Sequence, residues 1–410
     1  MKRFVRQEVF DSMQSYLSSE ITGTGGIIKQ APEDFQVTEL PAYEPCGSGE
    51  HLYLTIEKKG ITTLEAVSRI AKKLRLPERE IGYAGMKDSV GVTRQTLSVQ
   101  RVKPEDVSRL TFDGLKVLAA VRHTNKLKLG HLKGNHFRIV IREVFADALQ
   151  NALAVISLLA RRGVPNRFGY QRYGVQGNSH LIGAAMLRRD WKEAVDHLIG
   201  LPDMVRDEEW RNAIIAYQQG DIPAALRLMP GHCRGEREIL QRLVGRPDAW
   251  EKAFQALQPR MKKLYLSACQ SHMFDKTVEL RLKEIDLIRQ GDLAYKHING
   301  SCFLVEDVEA EALRAGKFEI SATGPMFGSK MKQPGGETLV MEERILAEEG
   351  IRPEDFDLGN GLRLEGERRP LRVPLGDHHV SIDGSNIIVE FSLPRGSYAT
   401  SVVREITKNF

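Results

Sequence analysis

Hydrophobic and polar positions alternate over much of the first 145 residues, a period that belongs to strands. Leu52, Leu54 and Ile56 alternate up to a stop at Lys58, Lys59 and Gly60. Leu97 and Val99 repeat the pattern among Thr96, Ser98 and Gln100, and Val117 to Val121 reads as a further strand. In GNHFRIVIR, Phe137, Ile139 and Ile141 share one face while His136, Arg138, Val140 and Arg142 share the other. Ile81 to Ala84 is a short apolar run of the same kind, and Ile27, Ile28, Phe35, Val37 and Leu40 are extended. Two helical patterns interrupt this. Thr62 and Glu65 form a capping box ahead of Leu64, Val67, Ile70, Ala71 and Leu74, which Pro77 stops. Asp147 with Gln150 opens a second helix carrying Leu149, Leu153, Ile156 and Ala160, which ends at Gly163. The prediction is an antiparallel sheet with helices on one side.

From about Asn166 to Gln290 helical periodicity takes over, with stops at Pro202, Gly220, Pro230 and Pro247. Its longest run, Arg260 to Gln290, places Leu264, Ser267, Ser271, Phe274, Val278 and Leu282 on one side. Asp292 to Ile320 returns to strand and turn character, GPMFGSKM reads as a glycine-bounded loop with two lysines, and Glu337 to Glu349 as a helix. The last forty residues resemble the first part of the chain. Ile387, Val389 and Phe391 alternate, Pro394 and Gly396 make a turn, and SYATSVVREIT closes as a helix. Such an order predicts an α+β chain in which residues 1–165 and 373–410 form one discontinuous domain and 166–372 an inserted one. The length of 410 residues suits two or three cores.

Charge refines the picture through its distribution. The net formal charge is only +5. Between Leu115 and Arg189, however, thirteen Lys and Arg face two acids, Glu143 and Asp147, which points to a surface for an anionic polymer. A solvated basic face is the competing reading, although such faces usually intersperse acids. Four scattered cysteines, with no CxxC pair, indicate neither a zinc site nor a disulfide framework. No apolar run approaches the ~18 to 20 residues of a membrane span. MKRFVRQEVF lacks a signal-peptide core, so a cytoplasmic protein without a membrane partner is expected. Gly23, Gly25 and Gly26 suggest a phosphate loop, but no strand precedes them and no helix follows.

Two stretches carry candidate chemistry. In IGYAGMKDSVGVTRQTLSVQ, Gly82 and Gly85 loosen the backbone around a turn that presents Lys87 and Asp88 between two strands. From this stretch alone Asp88 is a turn-capping aspartate, with a second role left open. VPNRFGYQRYG interleaves Arg167 and Arg172 with Phe168, Tyr170 and Tyr173, which suits stacked bases and phosphates and equally suits packing at a domain joint.

GYAGMKDSVGVTRQ, KLGHLKGNHFRIVIR, VPNRFGYQRYG, YLSACQSHMFD, the ATGPMFG loop and PRGSYATSVVREI together resemble the TruD-type tRNA pseudouridine synthases, in the same order from about Pro32 to Lys408. The resemblance implies a pseudouridine synthase fold with a mixed, mostly antiparallel sheet, interrupted by the family's large α/β insertion domain. It implies tRNA as partner and uridine 13 as the isomerised base. The family's essential aspartate falls on Asp88, its GNxF asparagine and phenylalanine on Asn135 and Phe137, and its EDF phenylalanine on Phe35, the last three residues lying at the uracil pocket in that family. The terminal VVRE segment is similar to the one that brings a basic residue to the aspartate, here Arg404. Ser89 and Val90 stand where basic residues often follow the Lys-Asp pair, and Cys269 where a larger residue is more usual.

The implied reaction breaks the bond from C1′ to N1, turns the base and makes a bond from C1′ to C5, with no cofactor. It needs a carboxylate that stays ionised in a dry pocket, as nucleophile or as stabiliser of positive charge at C1′. Burial alone would neutralise an aspartate, so an opposing cation is required, and a guanidinium such as that of Arg404 serves because it stays charged. Phe137 would stack on the freed base and let it rotate, and Asn135 would bond a uracil edge or the 2′-hydroxyl. Lys87 is expected to contact phosphate or to act secondarily, with Arg167 and Tyr170 also on the RNA. Flipping the uridine costs a few kcal/mol, which phosphate contacts along the basic stretch would offset. Two other classes stay open: a non-catalytic RNA-binding protein, and a metal-dependent nuclease built around His378, His379, Asp377 and Asp383.

Overall fold

In the computed structural model, residues 15–87, 89–108, 112–359 and 361–409 are described. Over them the chain forms two units, residues 18–164 with the segment from 373 onward, and residues 15–17 with 165–372.

The first unit holds strands β1 (Gly25–Ile27), β2 (Phe35–Pro41), β3 (His51–Lys59), β4 (Gly82–Tyr83), β5 (Val92–Gln100), β6 (Leu115–His123), β7 (Leu132–Val144), β8 (Gly376–Asp383) and β9 (Asn386–Pro394). They make one nine-stranded sheet in the order β8-β9-β7-β2-β5-β3-β6, with β1 also on β7 and β4 on β5. β2 and β5 run parallel, and the other pairings are antiparallel. The alternation translates directly into burial: Leu52, Leu54, Ile56, Leu97 and Val99 are inaccessible, as are Ile139, Ile141, Ile387, Val389 and Phe391. β9 explains why the end of the chain resembles its start. It lies beside β7 over eight register pairs, setting Phe391 opposite Phe137 and Leu393 opposite Asn135.

Helices α1 (Thr63–Leu74), α2 (Ala148–Arg162) and α3 (Ala399–Thr407) complete this unit. The Thr62 hydroxyl accepts the Glu65 N–H at 3.1 Å, as the capping signal predicts. The buried faces differ from expectation. α1 turns Ala66, Val67, Ile70 and Ala71 inward and leaves Leu64 exposed, and α2 buries Ala152, Val155, Ile156 and Leu159 while Leu153 faces water. Asp147 makes no capping hydrogen bond. In both helices small alanines take inward positions, which lets neighbouring elements approach closely: α2 packs against α3 and β8.

The second unit contains an antiparallel sheet of Cys302–Leu304, Leu293–Lys296, Ile320–Met326 and Glu367–Pro370, in that order. Helices between Ser179 and Gln255 precede a long one, Pro259–Leu280. That helix ends ten residues before the periodicity does, and it is buried on several sides, with Tyr265, Leu266, Cys269, Met273 and Phe274 inside and Leu264 exposed. The stop has a physical cause. Arg281 is buried in a two-pronged pair with Asp292 at 2.9 and 3.0 Å, which requires the chain to fold back after Leu280. Two further readings need correction. The segment from Asp292 to Ile320 contains a helix, Val308–Gly316, capped by Asp307 on the Ala310 N–H at 3.1 Å, and strand Ile320–Met326 runs into the stretch read as a GPMFGSKM loop. Among the described residues no helix is long and apolar enough to cross a membrane.

Candidate active site

β7 and β2 build the floor of the candidate site. Their antiparallel register places Val37 opposite Phe137 and Glu39 opposite Asn135, so these side chains share the sheet face that also carries Phe391 and Leu393 of β9. The rings of Phe35 and Phe137 meet edge to face at 6.3 Å, and Phe137 lies 5.4 Å from Phe391. Phe137 is buried, whereas Phe35 is only half-buried and carries the Lys29 ammonium 4.3 Å above its ring. The more accessible aromatic surface is therefore that of Phe35. Gly134, just before Asn135, is fixed by strand approach: a Cβ there would sit 2.1 Å from the Leu393 carbonyl oxygen.

Asn135 has the most informative environment. Its Oδ1 is buried and has no hydrogen-bond partner among the described residues. Such an acceptor is unfavourable in the free protein unless something else is meant to bond it.

Asp88 lies outside the described residues, and the site is defined by what surrounds it in sequence. Lys87 does not extend into solvent. Its ammonium makes a 3.0 Å ion pair with Glu39, both side chains almost wholly buried, and Glu39 also accepts the Thr96 N–H at 3.2 Å. The tether runs from the residue before Asp88 to the β2 position opposite Asn135. On the other side of Asp88, Gly91 has φ +128°, and a Cβ there would lie 2.3 Å from the Phe35 carbonyl oxygen, so the loop closes directly onto the strand that carries Phe35. Arg404 lies half-buried on α3. The helix is anchored by Glu405, whose carboxylate accepts the Ser18 N–H at 2.9 Å and the Ser18 hydroxyl at 2.5 Å, and by Lys408, which donates to the Ser18 carbonyl at 2.9 Å.

Arg167 and Tyr170 belong to the other unit. Arg167 is buried, with Nη2 2.5 Å from Glu279 and 3.3 Å from the Ser15 carbonyl, so a phosphate contact from it would have to compete with that pair. Phe168 and Tyr173 converge on Asp275, which accepts the Phe168 N–H at 2.9 Å and the Tyr173 hydroxyl at 2.6 Å; burial pushes this carboxyl up to about 6. In this part of VPNRFGYQRYG, packing accounts for the aromatics, and Tyr170 is the one left exposed. Within the basic stretch, Arg142 is likewise taken up by a bidentate pair with Asp34 at 2.9 and 2.7 Å.

The sequence matches the tRNA pseudouridine synthase D (TruD) family over residues 12–406. The chain belongs to that family. tRNA pseudouridine synthase D of Geobacter metallireducens is 59% identical over 393 residues, covering 96% of this chain and 97% of its own. That of Thermus thermophilus is 37% identical over 397 residues, covering 96% and 92%. A crystal structure assigned to tRNA pseudouridine synthase D of Methanosarcina mazei superposes with a TM-score of 0.83 at 26% identity, covering 97% of this chain and 96% of that one. The TruD fold anticipated from the motifs, α+β with a mixed and mostly antiparallel sheet, is the fold found. His378 and His379 are exposed on β8, and the described residues contain no group of three or more His, Cys, Asp or Glu placed to hold a metal.

Glu39, Ser18 and the packing of Phe391 on Phe137 are among the features of this candidate site that escape sequence reading. Glu39 did leave a signal, since it is a charged residue at an inward position of an alternating strand.

Proposed function

We propose that this member of the family, an isomerase that converts uridine to pseudouridine in tRNA, acts at uridine 13 in the cytoplasm, with Asp88 as its essential carboxylate and no cofactor. The unit containing the nine-stranded sheet is the catalytic domain, and 166–372 is the family's insertion domain, which helps select tRNA. The observation that carries the reading is the buried Asn135 Oδ1, without a partner among the described residues, beside the Phe35 and Phe137 rings, on a sheet face tethered through Glu39 to the residue before Asp88.

In this reading the flipped uridine enters between the aromatic rings and Asn135. Asp88 acts at C1′ as nucleophile or as counter-charge while the bond to N1 breaks, and Arg404 keeps it ionised. The freed uracil stacks on Phe35 with Phe137 behind it, turns in its plane, and bonds through C5. Asn135 accepts an N–H or hydroxyl of the nucleotide, which satisfies its buried oxygen. Lys87 serves by holding the Asp88 loop through Glu39. Tyr170 lies against the RNA, and Arg167 supports the loop that presents it.

Asn135→Ala tests the pocket assignment. Since Oδ1 bonds nothing within the described protein, the variant is expected to keep wild-type stability in urea unfolding, while turnover on a tRNA transcript falls by roughly 10- to 100-fold, the loss of one hydrogen bond in a dry site. A stability loss with unchanged turnover would make Asn135 a structural residue instead.

A further inference from the structure

The residues leading into Asp88 are held by a group that the family resemblance leaves without a role. Lys58 occupies the core-facing phase of β3, in line with Leu52, Leu54 and Ile56, where alternation calls for an apolar side chain. Yet it is a lysine, and only 1% of its surface is exposed. Its neighbour Lys59, in the opposite phase, reaches the surface and pairs with Glu33. A lysine at a strand end can ordinarily run its stem along the surface and leave its ammonium in water. Lys58 instead donates inside the unit, to the Ile61 carbonyl at 2.7 Å and the Lys87 carbonyl at 3.4 Å.

The second acceptor is the carbonyl of the peptide bond joining Lys87 to Asp88. It also receives the Thr63 N–H at 3.4 Å, while the Lys87 N–H donates to Thr63 Oγ1 at 2.8 Å. Thr63 Oγ1 is fixed in turn by Gln95 at 2.8 Å. Both backbone groups of Lys87 are therefore clamped, and its side chain ends on Glu39. Burying an ammonium is costly, and such costs are tolerated chiefly where function needs the charge.

We propose that Lys58 is a positioning residue for the isomerisation. It fixes the peptide from which Asp88 projects and brings a buried positive charge to that peptide. The inference rests on the reading of Asp88 as the essential group. It adds a cation supplied from β3 and not from the C-terminal helix.

The test uses the full chain and a tRNA transcript, measuring the single-turnover rate and the tRNA Kd separately. Lys58→Met keeps the stem and removes donor and charge. It is expected to lower the rate on the order of 100-fold, the effect of misplacing a reacting group by about 1 Å, with Kd unchanged. Lys58→Gln restores a donor and is expected to recover part of the rate. Should Lys58→Met fail to fold, Lys58→Gln and Thr63→Val, which frees the Lys87 N–H, decide through the same split between rate and Kd. A folded Lys58→Met enzyme turning over at the wild-type rate, or a parallel loss of rate and tRNA affinity, overturns the proposal. Asp88→Asn run alongside separates the two layers: an active Asp88→Asn removes the underlying reading, whereas an inactive Asp88→Asn beside a fully active Lys58→Met removes only the role of Lys58.

Discussion

Asp88→Asn is expected to stop pseudouridine formation, with a loss on the order of 10⁴-fold or more, as when a group central to a catalytic unit is removed. The substitution preserves shape and deletes the charge. A neutral amide can neither attack C1′ nor balance positive charge there, so the bond to N1 should not break at a useful rate. Binding is a separate matter. Affinity for tRNA comes chiefly from phosphate contacts spread over a large surface, so the Kd of the variant should stay within about twofold of wild type. Because the new bond from C1′ to C5 expels the hydrogen at C5, release of tritium from 5-labelled uridine in tRNA measures turnover directly. Tritium release at the normal rate would remove Asp88 from the mechanism.

The largest effect on stability is expected far from the chemistry, at the Arg281–Asp292 pair. Both side chains are about 1% exposed, and Asp292 also accepts the Thr338 hydroxyl at 2.6 Å and the Arg289 N–H at 2.8 Å. Asp292→Ala strands a buried guanidinium and leaves those donors unpaired, a loss of about 3–5 kcal/mol. The double replacement Arg281→Met with Asp292→Leu should recover much of it, since no lone charge remains inside. Urea unfolding reads both through the midpoint at unchanged slope. A loss below about 1 kcal/mol for Asp292→Ala, the range of exposed pairs, would mean that the pair is solvated in solution.

What the sequence revealed and what it hid follow one physical division. Strands of the first unit are legible because one face is dry and the other is not, so Leu52 to Ile56 and Phe137 to Ile141 announce themselves by period. The return of the chain at Ile387 is legible for the same reason. Helix faces are harder to read: large residues attract the eye, yet Leu64 and Leu153 point to water while the alanines beside them permit close packing. The end of the long helix at Leu280 is set by a pair eleven residues apart, Arg281 with Asp292, and helical periodicity carries no trace of it. The site divides likewise. Asn135, Phe137 and Phe35 emerge through motif resemblance, and the register between β2 and β7 brings them together. The anchors of the Asp88 loop, Glu39, Thr63 and Lys58, come from separate elements and meet only in three dimensions. Even so, two of them are charged residues at inward strand positions, which is the trace a buried polar tether leaves in a sequence.

Position-resolved mapping of pseudouridine in an unmodified tRNA transcript treated with the purified protein alone decides whether the chain isomerises uridine 13 through Asp88. One new pseudouridine is expected, at position 13, formed without added metal or cofactor and absent when Asp88 is replaced by Asn. A transcript that remains unmodified, or one modified elsewhere with position 13 untouched, would contradict it.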